Sequence, residues 1–388
     1  MTYNKKIKVL HIITQLEWGG AQDNTVYTCQ NLDKKRFECF LLTTPGRLSE
    51  ELSDESKRTY QLKYLQYLVR PINPLKDILA LFEIIKELKR IKPDIVHTHS
   101  SKAGIIGRIS ARWCKVPVII HSIHGFGFNS NQPHIIRWIF ILLERVVSRW
   151  TTKFIAVSKN NITTGIDKGI FSAEKTVLIR SGVKTSRFSR VSDLDVKHLK
   201  DAEGIPIDSP ILGTVACFKP QKAPLDFIRT CAMISHILPL VHYIMIGDGE
   251  LRKSAETRAN KFGISHKIHF LGWRSNIEAW LNVFDVFLLT SKWEGLPRSI
   301  VEAMLTGLPV VATSVDGNAE IIQHNITGFL VPPGDYGGLA GYAIKCLRDS
   351  NLRDRIGTAA KKSITDEFDI DNMVKKQENL YTKLLILV

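Results

Sequence analysis

The chain has 388 residues, 44% of them hydrophobic and 23% charged, with 25 Gly, 15 Pro and 6 Cys. This composition excludes intrinsic disorder, a collagen-like repeat and a disulfide-stapled scaffold, and the length exceeds what one core usually holds. Charge is one-sided: residues 1–200 carry net +16 and residues 201–388 net −1. A basic half calls for an anionic partner such as nucleic acid, a membrane surface or a phosphorylated substrate.

In chain order, the first apolar run is IKVLHIIT, 7–14. It follows Lys5, Lys6 and Lys8 but is too short for a secretory leader, and reads as a first strand. Short apolar runs at 39–44, 94–99, 116–124, 153–158 and 176–179 alternate with amphipathic stretches such as 74–91. The second half repeats the scheme at 211–218, 242–249, 267–272, 285–291, 309–314 and 328–333. Continuous apolar strands separated by helices predict parallel sheets covered on both faces. The expected fold is α/β, with two doubly wound Rossmann-like domains at 1–190 and 191–365. A closing helix at 366–388 is expected to pack back towards the first domain. Ligands of such sheets bind beyond the carboxyl ends of the strands, so the two sheets should face an interdomain cleft.

The six Cys form no C-x-x-C pair and read as reduced thiols of a cytoplasmic protein. The most apolar stretch, 133–150, is interrupted by Arg137, Glu144 and Arg145, so no spanning helix is expected. Its segment HIIRWIFILLERVVSR (134–149) reads either as an amphipathic helix on an anionic bilayer or as a core helix with a charged edge.

Several motifs sit at strand ends. DVFLLTS runs into a loop with Glu294, Gly295 and Leu296, and Pro297 suits the first position of the helix that follows. Free amides of Gly295 and Leu296 at that helix N-terminus offer an anion or hydroxyl site. Glu302 lies eight residues beyond Glu294, so the two carboxylates should reach different parts of one ligand, such as neighbouring sugar hydroxyls. Gly19 and Gly20 follow the first strand and let the backbone approach a diphosphate, although G-x-G-x-x-G is absent. Lys219 and Lys222 follow the first strand of the second half, where a cation can neutralise a departing diphosphate. His97, His99, His121 and His124 lie near strand ends, with no carboxylate or Cys at ligand spacing, so no metal site is expected.

The stretch EGLPRSIVEAMLTGLPVVATSVDGNAEII (294–322), with its E-x7-E spacing, resembles the signature of the family-four retaining glycosyltransferases, which have the GT-B fold. Other blocks resemble that family in the expected order: WGGA (18–21), DIVHTHSSKAGIIGRISAR (94–112), HSIHGFGF (121–128), FIAVSKN (154–160) and VLIRSGVKTSRF (177–188). GTVACFKPQKAPLDFI (213–228), IGDGELR (246–252) and IHFLGW (268–273) continue the series, so the resemblance covers nearly the whole chain.

The resemblance implies retaining transfer of a hexose or N-acetylhexosamine from a nucleotide-diphosphate sugar, UDP-linked, to an acceptor hydroxyl. The implied acceptor is a lipid-linked saccharide of bacterial cell-surface polysaccharide synthesis. Implied catalytic residues are Glu294, Lys222 and His124, with Gly19, Gly20, Lys219, Gly295, Leu296 and Glu302 binding the donor. His99, Lys102 and Arg108 are the implied acceptor contacts. No metal or other cofactor is implied. The family's Arg five positions before Lys222 is Cys217 here, so either Lys219 substitutes, or the phosphate clamp is weaker or comes from Arg180 or Arg298, and Ser181 stands where the family often has Asn. An N-domain docked on the inner face of the plasma membrane would account for the basic half. Alternatives are a nucleotide-sugar epimerase of GT-B fold and a non-catalytic scaffold in a polysaccharide assembly complex. Nucleic acid is not an expected partner, because no helix-turn-helix, RNP or zinc pattern accompanies the charge.

Overall fold

A computed structural model describes residues 5–129, 132–189 and 191–387. The chain divides into two compact units: Met1–Gly182 with Ile370–Val388, and Val183–Asp369. The boundary expected at residue 190 lies outside the described residues. The second unit begins earlier, because Val183 bridges Asp369, Arg187 pairs with Glu278 at 2.6 Å, and Asn282 donates to the Ser189 carbonyl.

In unit one the order is β1 Ile7–Gln15, α1 Gly20–Asn31, β2 Phe37–Thr44, α2 Leu48–Glu51, β3 Gln61–Tyr64 and α3 Pro74–Ile91. It continues with β4 Ile95–His99, α4 Ser101–Trp113, β5 Val118–Ile123, α5 His134–Ser148, β6 Lys153–Ala156, α6 Lys159–Asp167 and β7 Thr176–Leu178. The sheet is parallel, in the order β3-β2-β1-β4-β5-β6-β7. Sequence reading missed β3, an edge strand whose mostly exposed residues leave no apolar run. By contrast, α3 occupies the expected 74–91. Asn73 caps it, Pro74 opens it, Ala80, Ile84, Leu88 and Ile91 form its buried stripe, and Lys92 in the left-handed region ends it.

Period-2 alternation sorts the strands between two cores. Leu10, Ile12 and Val96 pack with α3 and α4. Val9, Ile13 and Ile95 pack on the other face with Cys29 of α1. His11 and His97 share the parity of that second face, and the two are paired in register.

In unit two the order is α7 Asp193–Ala202, β8 Ile211–Val215, α8 Pro224–Ile237, β9 His242–Ile246, α9 Arg252–Lys261, β10 Ile268–Gly272 and α10 Ile277–Leu281. Then follow β11 Val286–Leu289, α11 Arg298–Thr306, β12 Val310–Thr313, α12 Asn318–Ile321, β13 Phe329–Val331, α13 Tyr336–Arg348 and α14 Ser350–Ser363. Its parallel sheet runs β10-β9-β8-β11-β12-β13 around one apolar core. The last helix, α15 Ile370–Ile386, belongs to unit one, where Met373, Val374 and Tyr381 join the α1 face of the core.

The charge asymmetry sharpens when counted by unit. Unit one holds 31 Lys and Arg against 17 Asp and Glu, whereas unit two holds 22 against 21.

Candidate functional site

Both sheets reverse strand order at one point, between β1 and β4 and between β8 and β11. Beyond the carboxyl ends of such strand pairs is where doubly wound sheets hold ligands. In unit two the two loops at that point are tied together. The Thr290 hydroxyl donates to the carbonyls of Lys222 and Ala223, and the Lys292 amide donates to the Gln221 carbonyl at 2.8 Å.

This stitching brings the Lys222 ammonium onto a carboxylate oxygen of Glu294. Glu294 is 6% exposed. Its carboxylate also accepts from the Ser291 hydroxyl at 2.6 Å and from Gln221 at 3.5 Å, while its backbone N–H donates to Asp316 at 2.9 Å. A nearly buried carboxylate is tolerated because it is paired and hydrogen-bonded. Gly317 permits the close approach of the two loops: a Cβ there would lie 2.1 Å from the Gly295 carbonyl oxygen. Ser291, Gln221 and Asp316 lie inside quoted stretches but were not singled out in the sequence, since their contacts with Glu294 form only on folding.

Gly295 and Leu296 are buried just before α11, and Pro297 is the cap residue, one position ahead of the expected first helical position. Glu302 lies on α11 with Arg298 3.7 Å away, one helical turn apart. The arrangement therefore offers a cation, a buried carboxylate and a helix N-terminus at one end of the sheet. Lys219 lies in the loop after β8, half-buried, and its ammonium has no hydrogen bond or ion pair among the described residues.

In unit one, Gly19 caps α1 and Gly20 begins it, forming the turn after β1. His99 and His124 line a small pocket at the ends of β4 and β5, together with Asn24 and Thr28 of α1 and Arg180 and Ser181 after β7. His11 Nδ1 lies 3.0 Å from His99 Nε2, and His99 Nδ1 lies 3.2 Å from His124 Nε2. His97 is held by the Tyr381 hydroxyl at 2.6 Å and the Ser122 hydroxyl at 2.7 Å. Loss of hydration lowers the His11 pKa to about 3 and that of His124 to about 4, and pushes His97 and His99 well below the ordinary range. All four are neutral at pH 7. His11, His97 and His99 bring ring nitrogens within 4.8 Å of one another, the spacing of a possible ligand set. Both nitrogens of His97 and of His99 already have hydrogen-bond partners, so hydrogen bonding by itself accounts for those two rings.

Two family models divide the chain between them. Residues 18–187 match the model described as Glycosyltransferase Family 4, and residues 195–363 match Glycosyl transferases group 1. An Escherichia coli UDP-Gal:alpha-D-GlcNAc-diphosphoundecaprenol alpha-1,3-galactosyltransferase is 29% identical over 99% of this chain and 98% of that enzyme. The structure of Anabaena HepE in complex with UDP and glucose superposes with a TM-score of 0.84, covering 97% of this chain and 100% of that one at 21% identity. The chain is a glycosyltransferase of the GT-B fold. A further relative is the Campylobacter jejuni N,N'-diacetylbacillosaminyl-diphospho-undecaprenol alpha-1,3-N-acetylgalactosaminyltransferase, 23% identical over 90% of this chain and 91% of that enzyme.

Of the acceptor contacts expected for the glycosyltransferase, Arg108 is corrected by its surroundings. Arg108 is fully buried: its guanidinium meets Glu144 of α5 at 2.7 Å and the Gly104 carbonyl at 2.7 Å. It fastens α5 to α4 and has no surface to offer an acceptor phosphate. Lys102 is also engaged, by Asp77 of α3 at 2.6 Å and by the Pro71 carbonyl, so it fastens α4 to α3. His99 does line the pocket, but as the middle member of the histidine chain.

Glu144 and Arg108 also explain the lie of α5. Its buried residues are Glu144, Val147 and Ser148, while Ile135, Trp138, Ile139, Leu142 and Val146 are exposed, Trp138 by 60%. Much of the apolar surface of α5 faces outward, while Phe140, Ile141 and Val147 turn towards the core. Among the described residues no helix is long and apolar enough to cross a membrane.

Proposed function

We propose that the protein transfers a hexose or N-acetylhexosamine, with retention of configuration, from a UDP-sugar to a lipid-diphosphate-linked saccharide in bacterial cell-surface polysaccharide synthesis. The observation that carries the reading is the Lys222–Glu294 pair at the strand reversal of unit two, beside the N-terminus of α11. It is supported by full-length similarity to an enzyme named for a UDP-galactose donor and a diphosphoundecaprenol acceptor.

In this reading the donor diphosphate takes over Lys222 from Glu294, and the freed Glu294 carboxylate accepts from hydroxyls of the donor sugar. Glu302 receives the ribose hydroxyls. Lys219 and the amides of Gly295 and Leu296 add positive potential beside the phosphates, with Gly19 and Gly20 allowing close backbone approach. His124 donates a hydrogen bond to donor sugar or phosphate. Charge stabilisation of the departing diphosphate drives the step, and the leaving phosphate oxygen accepts the acceptor's proton. No protein nucleophile is needed, and no metal either.

The exposed apolar side of α5, with Arg145 and Arg149 exposed beside it, is proposed to rest on the anionic inner face of the plasma membrane. The net +14 of unit one is the complementary charge.

Mass spectrometry of products after offering a panel of sugar nucleotides with undecaprenyl-diphosphate-linked acceptors tests the reading. The expected result is one added sugar on the lipid, unchanged by EDTA, with retained anomeric configuration. An epimerised sugar nucleotide formed without acceptor would replace the transferase reading.

A further inference from the structure

His11 of β1, Cys29 of α1 and Cys39 of β2 meet in the core of unit one, on the face of the sheet that α1 covers. A ring nitrogen of His11 and the two sulfurs all lie within 4.8 Å of one another. Three atoms so spaced share a point within about 2.8 Å of each, against ~2.3 Å for a zinc–sulfur bond and ~2.0 Å for zinc–nitrogen. Shifts of less than about 1 Å therefore suffice to ligate one ion. The three residues come from different elements, so no spacing in the sequence shows them together.

Hydrogen bonds settle which nitrogen is free to ligate. His11 Nδ1 is taken by His99 at 3.0 Å, whereas Nε2 is enclosed and has no hydrogen-bond partner, on a side chain with no exposed surface. A histidine that binds metal through one nitrogen is ordinarily held by a hydrogen bond at the other. His97 and His99 have both nitrogens engaged, which leaves the cysteines to complete the set. Thiols are weak donors and weak acceptors, so they do not satisfy Nε2 as hydrogen-bond partners. A second orphan lies in the same core cluster: the Tyr60 hydroxyl is enclosed and without a partner, on a residue 7% exposed. Burial and the neighbouring Cys29 push its pKa upward. We propose that His11 Nε2 and the Cys29 and Cys39 sulfurs bind one zinc ion, which staples α1 to the first two strands. Charge selects the ion: two thiolates and a neutral imidazole cancel Zn2+, so no net charge is buried. Entry of the ion replaces the two thiol protons, which pass to solvent. The staple steadies the helix that begins at Gly20 and takes no part in the transfer step.

Metal analysis of the untagged full chain, purified under reductant and loaded with Zn2+, reads the site directly. The expected result is about one zinc per chain and a melting temperature raised by about 5 °C or more. Cadmium serves as the spectroscopic probe. Its sulfur-to-metal absorption should correspond to two thiolates in the unmodified chain, fall to about half in Cys29→Ala or Cys39→Val, and vanish in the double variant. His11→Leu should weaken zinc binding about tenfold or more. Cys231→Ala and Cys346→Ala, in the core of unit two, should leave the cadmium band unchanged. Far-UV circular dichroism checks that each variant folds, and if one does not, the other two carry the same test. No zinc bound at micromolar metal, or full binding by the double variant, overturns the proposal. None of these readouts needs a sugar donor or acceptor, so failure of the transferase reading leaves them untouched.

Discussion

The buried guanidinium of Arg108 on α4 meets the carboxylate of Glu144 on α5 at 2.7 Å, 36 residues further along the chain. One polar contact thereby turns the acidic residue of an apolar helix inward and leaves Ile135, Ile136, Ile139 and Trp138 outside. Burying this charge pair is tolerable because Arg108 also bonds the Gly104 carbonyl.

Breaking the pair should be costly. Glu144→Ala leaves an unpaired buried guanidinium and should destabilise unit one by about 3–5 kcal/mol. The double variant Arg108→Met with Glu144→Leu should recover most of that loss, since apolar replacement of a buried pair is often near neutral. Thermal and urea unfolding measure both. Equal loss in single and double variants would mean that packing, and not the pair, holds α5.

Replacing Ile135, Trp138 and Leu142 together by Ser should leave unfolding unchanged, because all three side chains are exposed. The same variant should lose about tenfold or more of its sedimentation with anionic liposomes at low salt. Raising salt should weaken binding of the unmodified protein through screening. Neutral vesicles should bind it less tightly than anionic ones.

At the strand reversal of unit two, Lys222→Ala leaves Glu294 without its cation and should cost both stability and turnover. Adding Glu294→Gln should restore stability, because the Ser291 contact survives and the buried charge is gone. Turnover should stay down by about a hundredfold or more in both, as expected when a charge-stabilising group is removed. Unfolding and initial rates on the same preparations separate the effects. A fully active double variant would remove this pair from catalysis.

Acid should destabilise unit one in a defined window. In the unfolded chain the histidines take up protons below their ordinary pKa of 6.5, whereas folded His11 resists down to about 3 and folded His124 to about 4. Between these limits the unfolded state binds more protons, so stability falls as pH falls from about 6.5 and is insensitive to these groups above it. Burial pushes His97, His99 and His121 in the same direction. Each contributes at most about 1.4 kcal/mol per pH unit. The melting temperature should drop steadily between about pH 6.5 and about pH 5, and His121→Asn should flatten that slope. A flat profile in both proteins would mean that these rings are already charged in the folded state.

Much of this molecule was legible in the linear sequence. Strands buried on both faces need unbroken apolar runs, so twelve of the thirteen strands among the described residues were visible, and the exposed edge strand Gln61–Tyr64 was not. The loop after β11 was recognisable because a glutamate, a glycine and a proline between a strand and a helix make a local signal. Its supports were not: Gln221 and Asp316 reach Glu294 from 73 and 22 residues away. Arg108 looked available because a sequence shows a charge but not the carboxylate that has claimed it.

The sequence alone determined the two parallel α/β units, the placing of polar motifs at strand ends and the concentration of positive charge in the first half, since these depend on local pattern and composition. Tertiary structure decided which charges are free, which face of α5 is bare and how the histidines join. Those outcomes rest on contacts such as His97 with Tyr381, 284 residues apart, which form only when the last helix closes over the first sheet.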